Sequence, residues 1–540
     1  MDIEHWSVLI LVNLCNLLAS LNDDVDIGYA AVDSICDYYT NLQNGTIPVK
    51  AKVQPGYLID QLPTSAPENG QDFNEIQKDF NKLILPGITH WQSPSFFAYF
   101  PSNSTFECMI ADILSSSVAN PGFNWICSPA CTELEQVVVE WTAKLLGLDK
   151  MFWGSSGIGG GVIMGSASDS AFTAGIAARE KALRYLSVEN GVKPSDYGEI
   201  EIPESIRNEY SQKLVIYGST QTHSLAAKTA VMLGLPFRAV PVSIEDNYSL
   251  TGQNLKEIID KDISNGLIPF LIYATVGTTS TGAIDKIEEI GNLIKKKYPK
   301  TFLHVDAAWA GVAYALPNYR KNLKLNEVNE FANSFCTNFH KWGLTTFDCS
   351  IFCIKDRKDL TKALDVTPSY LRSKESDQGI VIDYRNWQPA LGRRFRSIKL
   401  WFVLRSFGIK GFQEHLLRGI DHCQQLEKII KESSNFEIVT PPSLTLIVFR
   451  LNPISSKEDI QLDDDELNLM NQDLFKALDL RCDIFLTQTM LHSKERNMYV
   501  IRIAMGGVHT KFSDVEEAWR IVEEEGQKIL VKWKAQRAIE

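Results

Sequence analysis

Two short runs carry a residue pair capable of covalent chemistry. His304–Ala308 reads His-Val-Asp-Ala-Ala, and Asn338–Trp342 reads Asn-Phe-His-Lys-Trp. Asp306 and Lys341 each sit at the end of an apolar, strand-like stretch. A lysine amine can hold an aldehyde as a Schiff base, and a carboxylate can keep a pyridine nitrogen protonated so that the ring accepts electrons. Pyridoxal phosphate (PLP) requires that pair. By spacing alone, a core-edge lysine and an ordinary end-of-strand aspartate fit equally well, so the flanking residues must decide.

The flanking residues form an ordered set. In chain order they are Pro94–Pro101, Ser128–Glu135, Gly165–Asp169, Gln221–Ser224, Gly277–Thr279, His304–Ala308, Asn338–Trp342 and Gly392–Ser397. Any one run is weak evidence, but the order and spacing are specific. From about residue 26 to the C-terminal region, the chain resembles the group II PLP-dependent decarboxylases, and among them the aromatic-L-amino-acid decarboxylase family.

The resemblance implies roles residue by residue. Lys341 would be the Schiff-base lysine and Asp306 the partner of the pyridinium. His223 would stack on the cofactor ring and approach the substrate carboxylate. Ala167, Ser168 and Asn338 match phosphate contacts, while Thr279, Ala308 and His340 match residues beside the cofactor. Tyr370, in the polar segment Thr367–Ser376, would protonate the substrate carbon after carbon dioxide leaves, from a loop that closes over the substrate. The pocket for an aromatic side chain would use Trp91, Tyr99, Phe100, Pro101 and Ser102, with Phe123 supplied by a partner subunit. Gly392 would leave room for a bicyclic ring.

Taken without the resemblance, several of these residues read more plainly. His223 fits a hydrogen-bonded loop histidine, Tyr370 a surface tyrosine, and Phe96–Phe100 a stretch of core. Gly157–Gly161 is neither a Walker loop, since no Gly-Lys-Ser/Thr follows, nor the opening of a dinucleotide fingerprint. Small hydroxyl residues at Gly165–Asp169, ahead of a helical stretch, do suit a phosphate.

The implied activity is decarboxylation of an aromatic L-amino acid (tryptophan, 5-hydroxytryptophan, tyrosine, DOPA or phenylalanine) to its amine. Plant relatives with glycine at the position of Gly392 take indole substrates, which points towards tryptophan, whereas animal relatives with glycine there also accept catechols. Relatives with phenylalanine at the position of Tyr370, or asparagine at that of His223, tend to be oxidative aldehyde synthases. This chain keeps both residues, which favours simple decarboxylation. Trp309 stands where the family usually has tyrosine, and Ser102 where animal relatives have threonine. An aromatic acetaldehyde synthase, a decarboxylase of histidine or an acidic amino acid, and an inactive scaffold of the same fold are the other readings. The intact Lys341–Asp306–His223 set disfavours the scaffold.

Composition agrees with a soluble globular protein. A chain of 540 residues has room for two or three domains. The net charge of −12 argues against nucleic acid and anionic membrane as main partners. Ten scattered cysteines form no metal-like pair. Cys127 with Cys131, and Cys349 with Cys353, read as small buried thiols, so no metal is expected and a cytoplasmic location fits.

Along the chain, residues 1–105 read as a helical arm, which the resemblance implies packs on a partner subunit. Residues 106–398 alternate apolar runs such as Leu214–Tyr217, Phe270–Ala274 and Phe302–Val305 with helical stretches. Runs of this kind suit strands buried on both faces of a mostly parallel sheet. The fold expected is α/β, a doubly wound large domain of the aspartate aminotransferase-like PLP fold type I. Residues 399–540 read as a small α+β domain, in which the acidic run around Asp463–Glu466 is a solvated loop. The resemblance adds a homodimer with a shared active site.

Residues 6–26 look inserted. The apolar run Ser7–Ser20 lacks a basic flank, is interrupted by Asn13 and Asn16, and is shorter than the ~20 residues of a spanning helix. An unspliced intron in the gene model, or a lineage-specific insert, is the expected source. Sequencing of transcripts should then yield messages lacking this segment. Its presence in most messages would instead make it part of the protein.

Overall fold

The computed structural model describes residues 27–196, 198–366, 368, 371–453 and 462–537. The segment read as an insert and Tyr370 lie outside them. The chain divides into two compact units: residues up to Phe96 with Asp479–Phe485, and Phe97–Leu478 with Leu486–Glu540.

The first unit holds a helix at 27–43 and the helix Phe73–Asp79, separated by the proline-bearing stretch. Asp72 caps the second helix by accepting from the Asn74 amide at 2.8 Å. Tyr38 hydrogen-bonds His90 at 2.9 Å, and Trp91 lies against Phe96 with 4.4 Å between ring centroids.

The second unit is built on a seven-stranded sheet. Its strands are β1 (Gly160–Met164), β2 (Leu214–Ser219), β3 (Phe237–Val240), β4 (Ile268–Thr275), β5 (Phe302–Asp306), β6 (Ser334–Asn338) and β7 (Ser350–Ile354). They lie in the order β1-β7-β6-β5-β4-β2-β3. Parallel pairing runs from β3 through β6, and β7 is antiparallel to both of its neighbours, so it alone in the sheet is reversed. This is the mostly parallel α/β sheet expected.

Every residue of β1, β2, β5, β6 and β7 is buried. Their side chains alternate between two separate cores. Val215, Tyr217, Leu303 and Val305 enter one, and Leu214, Ile216, Tyr273 and Cys336 the other. Helices must therefore cover both faces, which explains strands that are apolar throughout rather than alternating.

A second sheet has the order β10-β11-β9-β8, all antiparallel, from β8 (Phe436–Ile438), β9 (Leu446–Leu451), β10 (Thr487–His492) and β11 (Asn497–Ala504). The long helical segment Ser397–Glu432 precedes it and is broken at Gly408, whose φ of 61° favours glycine. The acidic run behaves differently from the loop expected. Asp463 accepts from the Glu466 amide at 2.9 Å, and Glu466 accepts from the Asp463 amide at 3.0 Å. This reciprocal pair opens the helix Asp464–Asp479, where carboxylates face the positive end of the helix dipole. Residues 454–461 are outside the described set.

Two of the sequence runs meet in a buried ion pair. Ser128 caps the helix Pro129–Leu146, which carries Glu135. The Glu135 carboxylate accepts from both terminal nitrogens of Arg393, at 2.9 and 2.6 Å, and from the Ile163 amide of β1 at 2.8 Å. Each side chain is 3% exposed. Arg393 also donates to Gln388 at 2.9 Å and lies over the Tyr384 ring. Removing one partner strands the other charge in the core, so Glu135→Ala should cost about 3–5 kcal/mol of stability in urea denaturation.

Candidate active site

The carboxyl ends of β1, β2, β4, β5 and β6 open on one side of the sheet, where ligands of open α/β sheets gather. A cavity of about 210 Å³ lies there. Its lining includes Phe100, Ala167, Ser168, His223, Thr279, Asp306, Ala308, Asn338, His340 and Lys341. All nine residues read as cofactor contacts thus come together.

Each is placed by the element before it. Asp306 is the last residue of β5, buried to 3% exposure, and its Oδ1 accepts from the Ala308 amide at 2.9 Å. Asn338 ends β6, and Lys341 sits in the single helical turn Phe339–Trp342 that follows. Burial pulls the Lys341 amine below its usual pKa, with Arg502 adding to the effect and Asp306 and Cys336 opposing it. A neutral, nucleophilic amine becomes easier to reach.

Two histidines face the cavity as neutral donors. Nδ1 of His223 accepts from the Leu225 amide at 3.1 Å, and Nδ1 of His340 from the Cys349 amide at 2.8 Å. In each neutral ring the proton then sits on Nε2. Burial lowers the pKa of both; for His340, burial and then the Lys341 charge take it to about 3. Phe347 packs on His340 with centroids 4.1 Å apart and lines the cavity.

Ser166 caps the helix Ala167–Glu189 by accepting from the Asp169 amide at 3.2 Å. Ala167 and Ser168 occupy its first turn, where backbone N–H groups have no acceptor within the helix and attract an anion. A Cβ on Gly165 would come within 2.6 Å of the Asp169 carboxylate, so this turn is tight. Thr279 lies in the turn from Gly277 to Ala283, and Gly277 has a φ of 84°. Behind it, Asp285 takes the amides of Leu250 and Thr275, both at 2.7 Å, and burial pushes its carboxyl up to about 7.

An aromatic wall closes one side. Phe100 stacks on Trp309, 4.4 Å between centroids and 24° between planes, and the Lys341 amine is 5.4 Å from the Phe100 centroid. Arg502, buried in β11, lies 5.1 Å from the same ring. Phe347, Leu225 and Arg502 were not singled out in the sequence; only Arg502, a charge within the apolar run Met498–Ile503, carried a visible signal.

The remaining pocket candidates do not line this cavity in the single chain. Tyr99 is 51% exposed, Pro101 is buried, and Ser102 and Phe123 are half-buried. Gly392 is exposed, and a Cβ there would meet nothing within 4 Å. Trp91 belongs to the first unit and is 39% exposed. Tyr370 is outside the described residues. Among those described, no cluster of His, Cys, Asp or Glu is able to hold a metal, and no helix is long and apolar enough to cross a membrane.

An amine, a buried carboxylate, a helix start and neutral imidazole donors around one cavity fit PLP. The Asn338 side-chain amide lines the same cavity, its oxygen buried without a hydrogen-bond partner among the described residues. Residues 55–452 match the pyridoxal-dependent decarboxylase conserved domain. The chain belongs to that family. The enzyme is a PLP-dependent carboxy-lyase of PLP fold type I. It is 40% identical to phenylacetaldehyde synthase of Arabidopsis thaliana, over 94% of this chain and 96% of that one. It is 39% identical to tryptophan decarboxylase 2 of Oryza sativa subsp. japonica, over 94% and 95%. The crystal structure of Oryza sativa TDC with PLP and tryptamine superposes with a TM-score of 0.83 at 31% identity, covering 93% of this chain and 97% of that one.

His304, in the same sequence run as Asp306, serves the core. It donates to or accepts from Ser334 at 2.7 Å, and burial takes its pKa to about 4. The unfolded value is about 6.5, so as pH falls the unfolded chain takes up the proton first. The stability from this group is whole above about pH 6.5 and drains by about 1.4 kcal/mol per pH unit down to about pH 4. His304→Gln cannot titrate, so it should lose about 2 kcal/mol less than the parent between pH 7 and pH 5, read from urea midpoints.

Proposed function

We propose that the enzyme decarboxylates an aromatic L-amino acid, tryptophan foremost, to the arylalkylamine and carbon dioxide. The observation that carries this reading is the character of the cavity. Phe100 and Trp309 form a stacked wall beside Lys341, while Asp306 is the only carboxylate, and Lys341 the only lysine or arginine, among the described lining residues. A planar uncharged side chain finds a partner there; an acidic or basic one does not.

PLP, when bound, supplies the sink for the electron pair of the broken carbon–carboxylate bond. In this reading Lys341 anchors the cofactor through its amine, and Asp306 holds the charge on the ring nitrogen. Ala167, Ser168 and Asn338 hold the phosphate, and Thr279, Ala308 and His340 lie beside the cofactor. His223 offers its Nε2 proton to the substrate carboxylate, fixing the orientation in which that group departs. Tyr370 then delivers a proton to Cα.

The enzyme acts as a homodimer in the cytoplasm, with Phe123 entering the partner's pocket. Support comes from apolar side chains left exposed on and between the helices Phe106–Val118 and Pro129–Leu146: Ile113, Leu114, Val118, Ile126, Val137 and Trp141. The arm at 1–105, the large domain at 106–398 and the small domain at 399–540 are the parts this dimer assembles. Trp91, Tyr99, Pro101, Ser102 and Gly392 are the remaining substrate-pocket residues in this reading.

The likeness to phenylacetaldehyde synthase favours a second reading, oxidative release of an aldehyde, ammonia and peroxide. Purified PLP-loaded enzyme, given each aromatic amino acid with amine and peroxide scored together, separates the two. Amine without peroxide, greatest with tryptophan, is expected. Peroxide equal to the carbon dioxide released would replace this reading with the oxidative one.

A further inference from the structure

Asp383 is a buried carboxylate outside the cavity whose two oxygens serve two different segments. Oδ1 accepts from the Trp125 amide at 3.0 Å, and Oδ2 from the Ser376 hydroxyl at 2.8 Å. Its side chain is 4% exposed, and the Arg385 guanidinium is 3.4 Å away.

Both segments are ordered by their own turns before Asp383 joins them. In the first, Asn120 accepts from the Gly122 amide at 2.8 Å, Asn124 accepts from the Cys127 amide at 3.0 Å, and Trp125 donates its indole N–H to Glu133 at 2.8 Å. Phe123 rides on this loop, and its carbonyl accepts from the Arg385 amide at 2.9 Å. In the second, Ser373 caps the short helix Lys374–Asp377 by accepting from the Ser376 amide at 3.1 Å. Gly379, with a φ of 68°, turns the chain back towards Asp383.

We infer that Asp383 is a positioning residue that locks the Phe123 loop to the segment 371–380, so that the two are placed as one unit and the reaction depends on that unit. Phe123 and the residues following Tyr370 are far apart in sequence, yet a single carboxylate spans them. A shift of either segment must break a hydrogen bond to a buried charge or carry the other segment along. This goes beyond the proposed function and uses it only for the catalytic consequence.

The test compares Ser376→Ala, Asp383→Ala and Asp383→Asn with the parent holoenzyme by amide hydrogen exchange and steady-state kinetics. Ser376→Ala cuts one arm at a half-buried hydroxyl and leaves the Asp383–Arg385 pair intact, so it remains readable if Asp383→Ala fails to fold. The expected result is exchange faster by about tenfold in 371–380 and also in 120–127, with kcat lowered more than KM is raised. Asp383→Asn should restore slow exchange, because its amide oxygen can accept from Trp125 while its NH2 donates to Ser376. Faster exchange confined to 371–380 would overturn the coupling. Faster exchange in both segments with unchanged kcat would overturn its catalytic consequence.

Tyr370→Phe, run alongside, isolates the underlying reading. If it leaves the peroxide share unchanged, the proton-donor role assigned to Tyr370 fails, while exchange and kcat in the Ser376 and Asp383 variants still decide the inference.

Discussion

Asp306 and Lys341 are a carboxylate-bearing and an amine-bearing side chain buried around one cavity, and the strands of the second unit keep them there. Burial alone penalises a charged amine, whereas a nearby carboxylate favours it. The balance reached at Lys341 is an amine shifted down but still opposed by Asp306 and Cys336. Such a balance needs fixed positions, because both burial and the attraction of the carboxylate depend on where the amine is held. Adjacent parallel strands supply that rigidity: β5 delivers Asp306, β6 delivers Asn338, and one helical turn later comes Lys341.

The surroundings follow the same logic of directional donors in a dry site. His223 and His340 are each held by a backbone amide on Nδ1, which leaves their other nitrogen as a donor towards the cavity. The first turn of the helix Ala167–Glu189 adds backbone donors for an anion. Asn338 contributes a buried side-chain amide. These groups are preorganised by the fold, so little reorganisation is required when charge develops in the reaction.

Away from the cavity, two buried carboxylates join distant parts of the chain. Glu135 ties a helix to β1 and to Arg393, and Asp383 ties the loop at 120–126 to the segment after 371. Both use a side chain with two acceptor oxygens where an apolar residue would only fill space. Stability from such pairs is modest once desolvation is counted, so their effect is mainly on which arrangement is adopted.

The sequence determined the chemistry at hand and the local elements. Uniformly apolar runs specified strands buried on both faces, and the small hydroxyl residues of Gly165–Asp169 stood ahead of a helix. These elements were legible because they depend on neighbours a few residues away. The cofactor was legible only through the order of the runs around Lys341, Asp306 and His223 and their resemblance to a decarboxylase family, since the spacing of Asp306 and Lys341 alone fits an ordinary core equally well. Tertiary structure alone decided the rest. It placed Phe347, Leu225 and Arg502 at or beside the cavity, turned the end of an acidic run into a helix cap, and made Glu135 and Arg393 partners. It also left Gly392 exposed and away from the cavity within one chain. No local pattern encodes these outcomes, since each depends on the distance between residues separated by many elements, and that distance exists only once the two cores have packed.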